Sequence, residues 1–90
     1  MKIEFDPDKR LTPLDRRGLD MARAAEIFAG ATLTIADNRK DYGEQRFITI
    51  GRLDGRMVVS VWTPRGAVRR IISLRKANDR EQALYGSRLD

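Results

Sequence analysis

Polar and apolar positions alternate through Lys2-Ile3-Glu4-Phe5, which predicts a short opening strand, and Asp6-Pro7 turns the chain out of it. Thr12-Pro13-Leu14-Asp15 has the character of a helix start, with Thr12 as N-cap and Pro13 at the first helical position, where no N–H is needed. Gly18 is suited to ending that helix. A second helix is predicted from Asp20, whose carboxylate can cap it; Met21, Ala24, Ala25 and Phe28 then fall on one apolar stripe before Gly30. Beyond Gly30 the period shortens. Thr32, Thr34 and Ile35 predict a strand, Asp37 to Glu44 a polar loop, and Arg46 to Arg52, Met57 to Thr63 and Ala67 to Arg75 three more strands. Asp54-Gly55 marks a tight hairpin and Pro64-Arg65-Gly66 a second turn, so these runs are expected as an antiparallel meander. Asn78 with Glu81 three residues on predicts a capping box for a C-terminal helix that Gly86 ends. Strand, two helices, strands and helix, with no internal repeat or linker, predict one α+β domain over residues 1–90.

The last strand is where chemistry first enters the pattern. Alternation places Val68, Arg70, Ile72 and Leu74 on one face and Arg69, Ile71, Ser73 and Arg75 on the other. The first face is the expected core side; the second carries two guanidiniums and a hydroxyl, groups able to hold a phosphate, although a solvated outer sheet face has the same pattern. Arg70 on the core side then needs a partner, and Glu44 or Glu81 can supply it. Arg75-Lys76 leads into the C-terminal helix, where backbone donors and the helix dipole favour anions. Arg46 opens the first meander strand and is preferred for function over Arg65, which sits in a turn. Glu81 is accounted for by its capping box before any catalytic role is invoked. Trp62, Tyr42 and Tyr85 can stack on bases, but Trp62 is expected to be at least half buried, as aromatics in so small a domain usually are.

Composition narrows the partners. The 90 residues carry 18 Lys plus Arg against 13 Asp plus Glu, a net charge of +5 made mostly of Arg, which favours a polyanion. The same surplus also suits a merely soluble basic surface. There is no Cys and no His, so disulfides, thiolate chemistry and the usual zinc ligand sets are excluded, and a metal site would need carboxylates alone. No cofactor is expected. Met1 to Pro7 has neither an apolar run nor a small-residue cleavage site, and no stretch of about 18 apolar residues follows, so the expected location is the cytoplasm.

Four blocks, in order, resemble the BrnT toxins, distant members of the RelE-like ribonuclease fold. They are Phe5-Asp6-Pro7-Asp8-Lys9; Gly18 before the amphipathic stretch Met21 to Phe28; Asp41-Tyr42-Gly43-Glu44-Gln45-Arg46-Phe47 with Ile50-Gly51; and Arg70-Ile71-Ile72-Ser73-Leu74-Arg75-Lys76-Ala77 with Arg80-Glu81 and Tyr85. The last two are the specific ones. The resemblance implies an endoribonuclease that arrests growth, partnered by a ribbon-helix-helix antitoxin that binds it and, as a complex, represses their operon by holding operator DNA. The toxin alone is expected as a monomer. Four positions depart from the family's usual pattern: Phe5 stands where Trp is frequent, Pro13 where Asn is common, and Arg16-Arg17 where Lys-His is common, the last removing an imidazole.

Metal-free RNA cleavage uses the substrate's own 2′-hydroxyl, so the protein must orient it, take its proton, stabilise the pentavalent phosphate and protonate the 5′-oxygen. Arg46, Arg70 and Arg75 are the candidates for holding phosphate charge, with Lys76 and Glu81 beside them. A guanidinium is a poor base, and the proton acceptor is left open among Glu81, Glu44, Tyr85 and Lys76. Lys9, Arg17, Arg65, Arg69, Ser73, Arg80 and Tyr85 are candidates for RNA contact. A binding module that holds RNA, a ribosomal surface or a protein without cleaving anything explains the charge equally well and needs no proton acceptor.

Overall fold

In the computed structural model, residues 2–6 and 20–89 are described. The first predicted helix, around Thr12 to Gly18, and the candidates Lys9 and Arg17 lie outside them. Among the described residues, strand β1 (Lys2–Phe5) is followed by a 3-10 turn (Met21–Arg23) running into helix α1 (Ala24–Ala29), then by β2 (Leu33–Ala36), β3 (Phe47–Leu53), β4 (Arg56–Arg65) and β5 (Val68–Lys76), and by helix α2 (Asp79–Leu89). The strands form one sheet in the order β1-β5-β4-β3-β2. β2 to β5 make an antiparallel meander of four strands, not three, and β1 adds to β5 in parallel, with Glu4 opposite Arg70.

The local signals act as their chemistry requires. Asp20 accepts from the Ala22 N–H at 2.9 Å and caps the first turn. Asp54 and Gly55 both take positive φ, 54° and 75°, the conformation of a two-residue hairpin. Asn78 Oδ1 accepts from the Glu81 N–H at 2.8 Å while Glu81 Oε1 accepts from the Asn78 N–H at 2.9 Å, a reciprocal capping box. Arg23 ties the helix to the β3–β4 turn through a two-pronged pair with Asp54, at 2.6 and 2.8 Å.

Four expectations are corrected. The apolar stripe of α1 runs through Met21, Ala24 and Ile27 and leaves Ala25 exposed, because the 3-10 turn at its start shifts the angular phase of the positions that follow. Pro64 and Arg65 belong to β4, and the turn is Gly66-Ala67; β3 pairs no further than Trp62, so Pro64 loses no ladder bond on that side. Helix α2 continues through Gly86 to Leu89, which is buried against Ile50, Met57, Val59 and Ala77. The packing of Leu89 outweighs the weak helix propensity of one glycine.

The fourth correction matters most. β5 pairs Ser73 with Val61 but Ile71 with Trp62, so Ile72 is an extra residue in a bulge. One inserted residue inverts the alternation, and Ile71 and Leu74 are both buried in the same cluster. Before the bulge the expected faces are therefore reversed: Arg69 lies over the rings of Phe28 and Trp62, at 4.2 and 4.6 Å, and Arg70 points the other way. Each face of the sheet has its own core. Met21, Ala24, Ile27, Leu53, Val58, Trp62, Ile71 and Leu74 pack on the α1 side; Ile50, Met57, Val59, Ala77 and Leu89 pack under α2. Trp62 is buried and donates its indole N–H to Thr49 Oγ1 at 2.8 Å. Among the described residues no helix is long and apolar enough to cross a membrane.

Candidate functional site

Helix α2 begins just after β5 and packs Leu89 and Tyr85 with Ile50, Met57, Val59 and Ala77, leaving part of that face of the sheet uncovered. A groove of about 500 Å³ remains between them. Its floor is apolar, from Ile48 and Ile50 of β3 and Val59 and Val61 of β4; Ile35 of β2 and Leu84 of α2 form its lips and stay 47% and 55% exposed. The polar side is contributed by Ser73 and Arg75 of β5 and by Asn78, Arg80, Glu81 and Tyr85 of α2 or its cap. Ser73 and Arg75 follow the bulge, which is why they face this groove as the simple alternation expects.

Arg75 and Glu81 meet there in a fork-to-fork pair, with Nη1–Oε1 and Nη2–Oε2 both 2.7 Å. The guanidinium holds the Glu81 carboxyl below the usual carboxylate range, burial opposes it, and the Asn78 N–H adds to the lowering. Glu81 is thus both the cap of α2 and the counter-ion of Arg75. Arg39, from the loop after β2, lines the same groove, and its positive charge works against that of Arg75.

The other candidates divide into separate places. Arg70 is half-buried, and its partner is Glu4 at 3.3 Å, neither Glu44 nor Glu81. The parallel β1–β5 register brings that pair together. Glu4 also lies 3.9 Å from Arg65, Arg65 lies 4.0 Å from Glu44, and Glu44 pairs with Arg46 at 3.3 Å, so Arg70, Arg65 and Arg46 share a chain of ion pairs outside the groove. Arg46 additionally covers the Tyr42 ring at 4.1 Å. Lys76 shares with Arg75 a second, shallow cleft beside Asp79 and Gln82. Arg69, lying over Phe28 and Trp62, belongs to the opposite face of the sheet, and burial lowers its hold on the proton. The structure therefore joins Ser73, Arg75, Arg80, Glu81 and Tyr85 and separates them from Arg46, Arg65, Arg69 and Arg70. Ile35 and Arg39 are groove residues that the pattern of the chain does not single out; the spacing Asp37-x-Arg39 is the local trace of the second, and it sits in a loop where periodicity is silent.

The model of the BrnT family, described as the ribonuclease toxin of type II toxin–antitoxin systems, matches residues 5–81. The chain belongs to the BrnT family. The match runs from the end of β1 to Glu81 and so takes in the Arg75–Glu81 pair. Comparison with curated proteins gave no match. Membership brings with it a ribonuclease activity and an antitoxin as partner.

Proposed function

We propose that the groove is the RNA cleavage site of a toxin of the RelE-like class, acting without a metal ion through the 2′-hydroxyl of its substrate. The observation that carries this reading is the Arg75–Glu81 pair, a cation and a carboxylate in contact within a groove open to solvent. In the free protein Glu81 is a weak base because Arg75 stabilises its charge. A scissile phosphate competes for the same guanidinium. As Arg75 turns to the phosphate, Glu81 loses its counter-ion, its pKa rises, and it becomes able to take the proton of the 2′-hydroxyl.

The 2′-oxygen then attacks phosphorus, and the bond to the 5′-oxygen breaks. That oxygen takes its proton from the hydroxyl of Tyr85, which lines the same groove. The products are a 2′,3′-cyclic phosphate and a 5′-hydroxyl. Arg75 and Arg80 stabilise the extra negative charge of the pentavalent phosphate, and Ser73 offers a hydroxyl to a phosphate oxygen. Ile35 and Leu84 give ribose and base an apolar surface to rest on. Orientation of the 2′-hydroxyl in line with the leaving oxygen supplies much of the rate, as expected of a site without an imidazole.

The antitoxin is read as a ribbon-helix-helix protein whose acidic segment covers this groove and whose complex with the toxin holds operator DNA. Incubation of the purified chain with RNA in excess EDTA is the test. Cleavage that persists and leaves a 2′,3′-cyclic phosphate supports the mechanism; activity that vanishes with chelator and returns with Mg²⁺ overturns it. RNA that is bound but stays intact at high protein excess identifies a binding module instead.

A further inference from the structure

We propose that Arg39 is a further phosphate-binding residue of the groove and that Asp37 is a positioning residue that holds it there. Arg39 belongs to the loop after β2, and its side chain is 69% exposed, whereas the carboxylate of Asp37 two residues earlier is 1% exposed. This is an inverted arrangement for a surface ion pair: the acid is inside and the cation outside. Asp37 Oδ1 accepts from Arg39 Nε at 2.8 Å and from the Arg39 backbone N–H at 3.3 Å. Its Oδ2 accepts from Arg39 Nη2 at 2.8 Å and from the Tyr42 hydroxyl at 3.1 Å. The Asp37 N–H donates to the Arg46 carbonyl at 2.8 Å, which fastens the start of the loop to the residue just before β3.

Burying a carboxylate is costly unless its oxygens are hydrogen-bonded, and here both are. The result is a guanidinium with most of its rotamer freedom already removed before any ligand arrives. Arg39 and Arg75 line the same groove and repel each other there. Two cations lining one concave site, one locked by a buried acid, suit the negatively charged phosphodiester backbone of RNA better than a neutral ligand.

This inference rests on the groove being the place where RNA binds, so the experiment separates the two. The probe is a single-stranded 2′-O-methyl oligoribonucleotide, which has no attacking hydroxyl, and the readout is its Kd across a range of salt concentrations. For single strands the slope of log K against log salt falls in magnitude by about 0.7 for each phosphate that the protein no longer neutralises. Arg39→Gln and Arg75→Gln are each expected to show that fall. Asp37→Asn removes a negative charge from the protein, so a simple field effect would tighten binding; positioning predicts that it weakens binding instead. The weakening should disappear when Asp37→Asn is made on top of Arg39→Gln, because Asp37 acts only through Arg39.

A slope lowered by Arg75→Gln and unchanged by Arg39→Gln overturns this inference and leaves the groove intact as the RNA site. Slopes unchanged by both overturn the groove itself. Tighter or equal binding by a folded Asp37→Asn variant removes the positioning role. If that variant does not fold, the exposed Arg39→Gln decides through its slope alone.

Discussion

The two faces of the sheet solve different problems with the same strands. On one face, Met21, Ala24 and Ile27 close over Val58, Trp62, Ile71 and Leu74, and even Arg69 is drawn in as a lid over two aromatic rings. Gly51 is part of that fit: a Cβ there would stand 2.7 Å from Ile27 Cγ2, so the absence of a side chain on β3 is what lets the helix lie close. On the other face α2 packs Leu89 and Tyr85 toward Ile50, Met57 and Val59 and leaves an apolar floor partly uncovered, bordered by Arg39, Arg75 and Glu81. One face is filled by shape, the other is held open by charge. A ligand site on a domain this small needs such a division, since the filled face must carry the stability that the open one gives up.

The strongest test of the division is to truncate one apolar residue on each face. Ile27 is fully buried, so Ile27→Ala should destabilise the fold by about 3 kcal/mol, from lost transfer energy plus a cavity. Leu84 is an exposed lip of the groove, and Leu84→Ala should stay within about 0.5 kcal/mol. Urea unfolding of the two variants reads the contrast. Equal losses would mean that the groove face is packed as tightly as its opposite.

Next in size is the effect of Arg75→Ala on cleavage. With its main phosphate donor removed, the rate per folded molecule should fall about a hundredfold. Stability should change by no more than about 1 kcal/mol, because the Arg75–Glu81 pair is partly open to solvent and screened. A large fall in the thermal midpoint with unchanged activity would make the pair a structural bolt and merge the two faces into one kind of surface.

A subtler difference separates Asp37 from the other acids of this region. Its carboxyl is held far below the usual carboxylate range, first by the guanidinium of Arg39 against the opposing effect of burial. A group whose folded pKa is depressed contributes stability that is present above its unfolded pKa and lost as pH falls through the folded one. Wild type and Asp37→Asn should therefore differ most in unfolding midpoint at neutral pH. The gap should begin to narrow below about pH 4 and close as the solution becomes more acidic. A gap that is constant with pH would show that the carboxylate's charge contributes nothing there.

Much of this architecture is legible in the chain because its signals are local. Asp54-Gly55 sets a hairpin by its own φ angles, and Asn78 and Glu81 cap α2 by reaching each other across one turn. All five strands and the helix after Asp20 follow from periods of 2 and 3.6, and α2 from its capping box. What periodicity cannot carry is a change of phase. The bulge at Ile72 leaves no mark in composition, yet it reverses the faces of Arg69 and Arg70 and makes Glu4, 66 residues away, the partner of Arg70. The site divides the same way. Ser73, Arg75, Glu81 and Tyr85 fall near one another because one strand and the helix after it present them, whereas Arg39 comes from a loop whose position is set by a buried acid and the β3 edge. The parallel β1–β5 pairing is equally non-local.

The smallest expected effect is a gain. Glycine is a usual helix terminator, yet three more residues remain helical after Gly86 in α2. Its φ is not among the positive ones, so an L side chain fits the backbone. A Cβ added there would meet Met57 Cε at 3.8 Å, an ordinary van der Waals contact, and nothing nearer. Alanine in place of glycine within a helix is favourable by about 0.5–1 kcal/mol, mainly because the unfolded chain has less freedom to lose. Gly86→Ala should therefore raise the stability of the fold by that amount, read as a shift in the urea midpoint with an unchanged slope. The groove should keep its RNA affinity, because Gly86 contributes no side chain to it. A loss of stability would mean that the end of α2 must yield toward Met57, and that the helix bordering the open face is packed less like a rigid wall than the helix on the filled one.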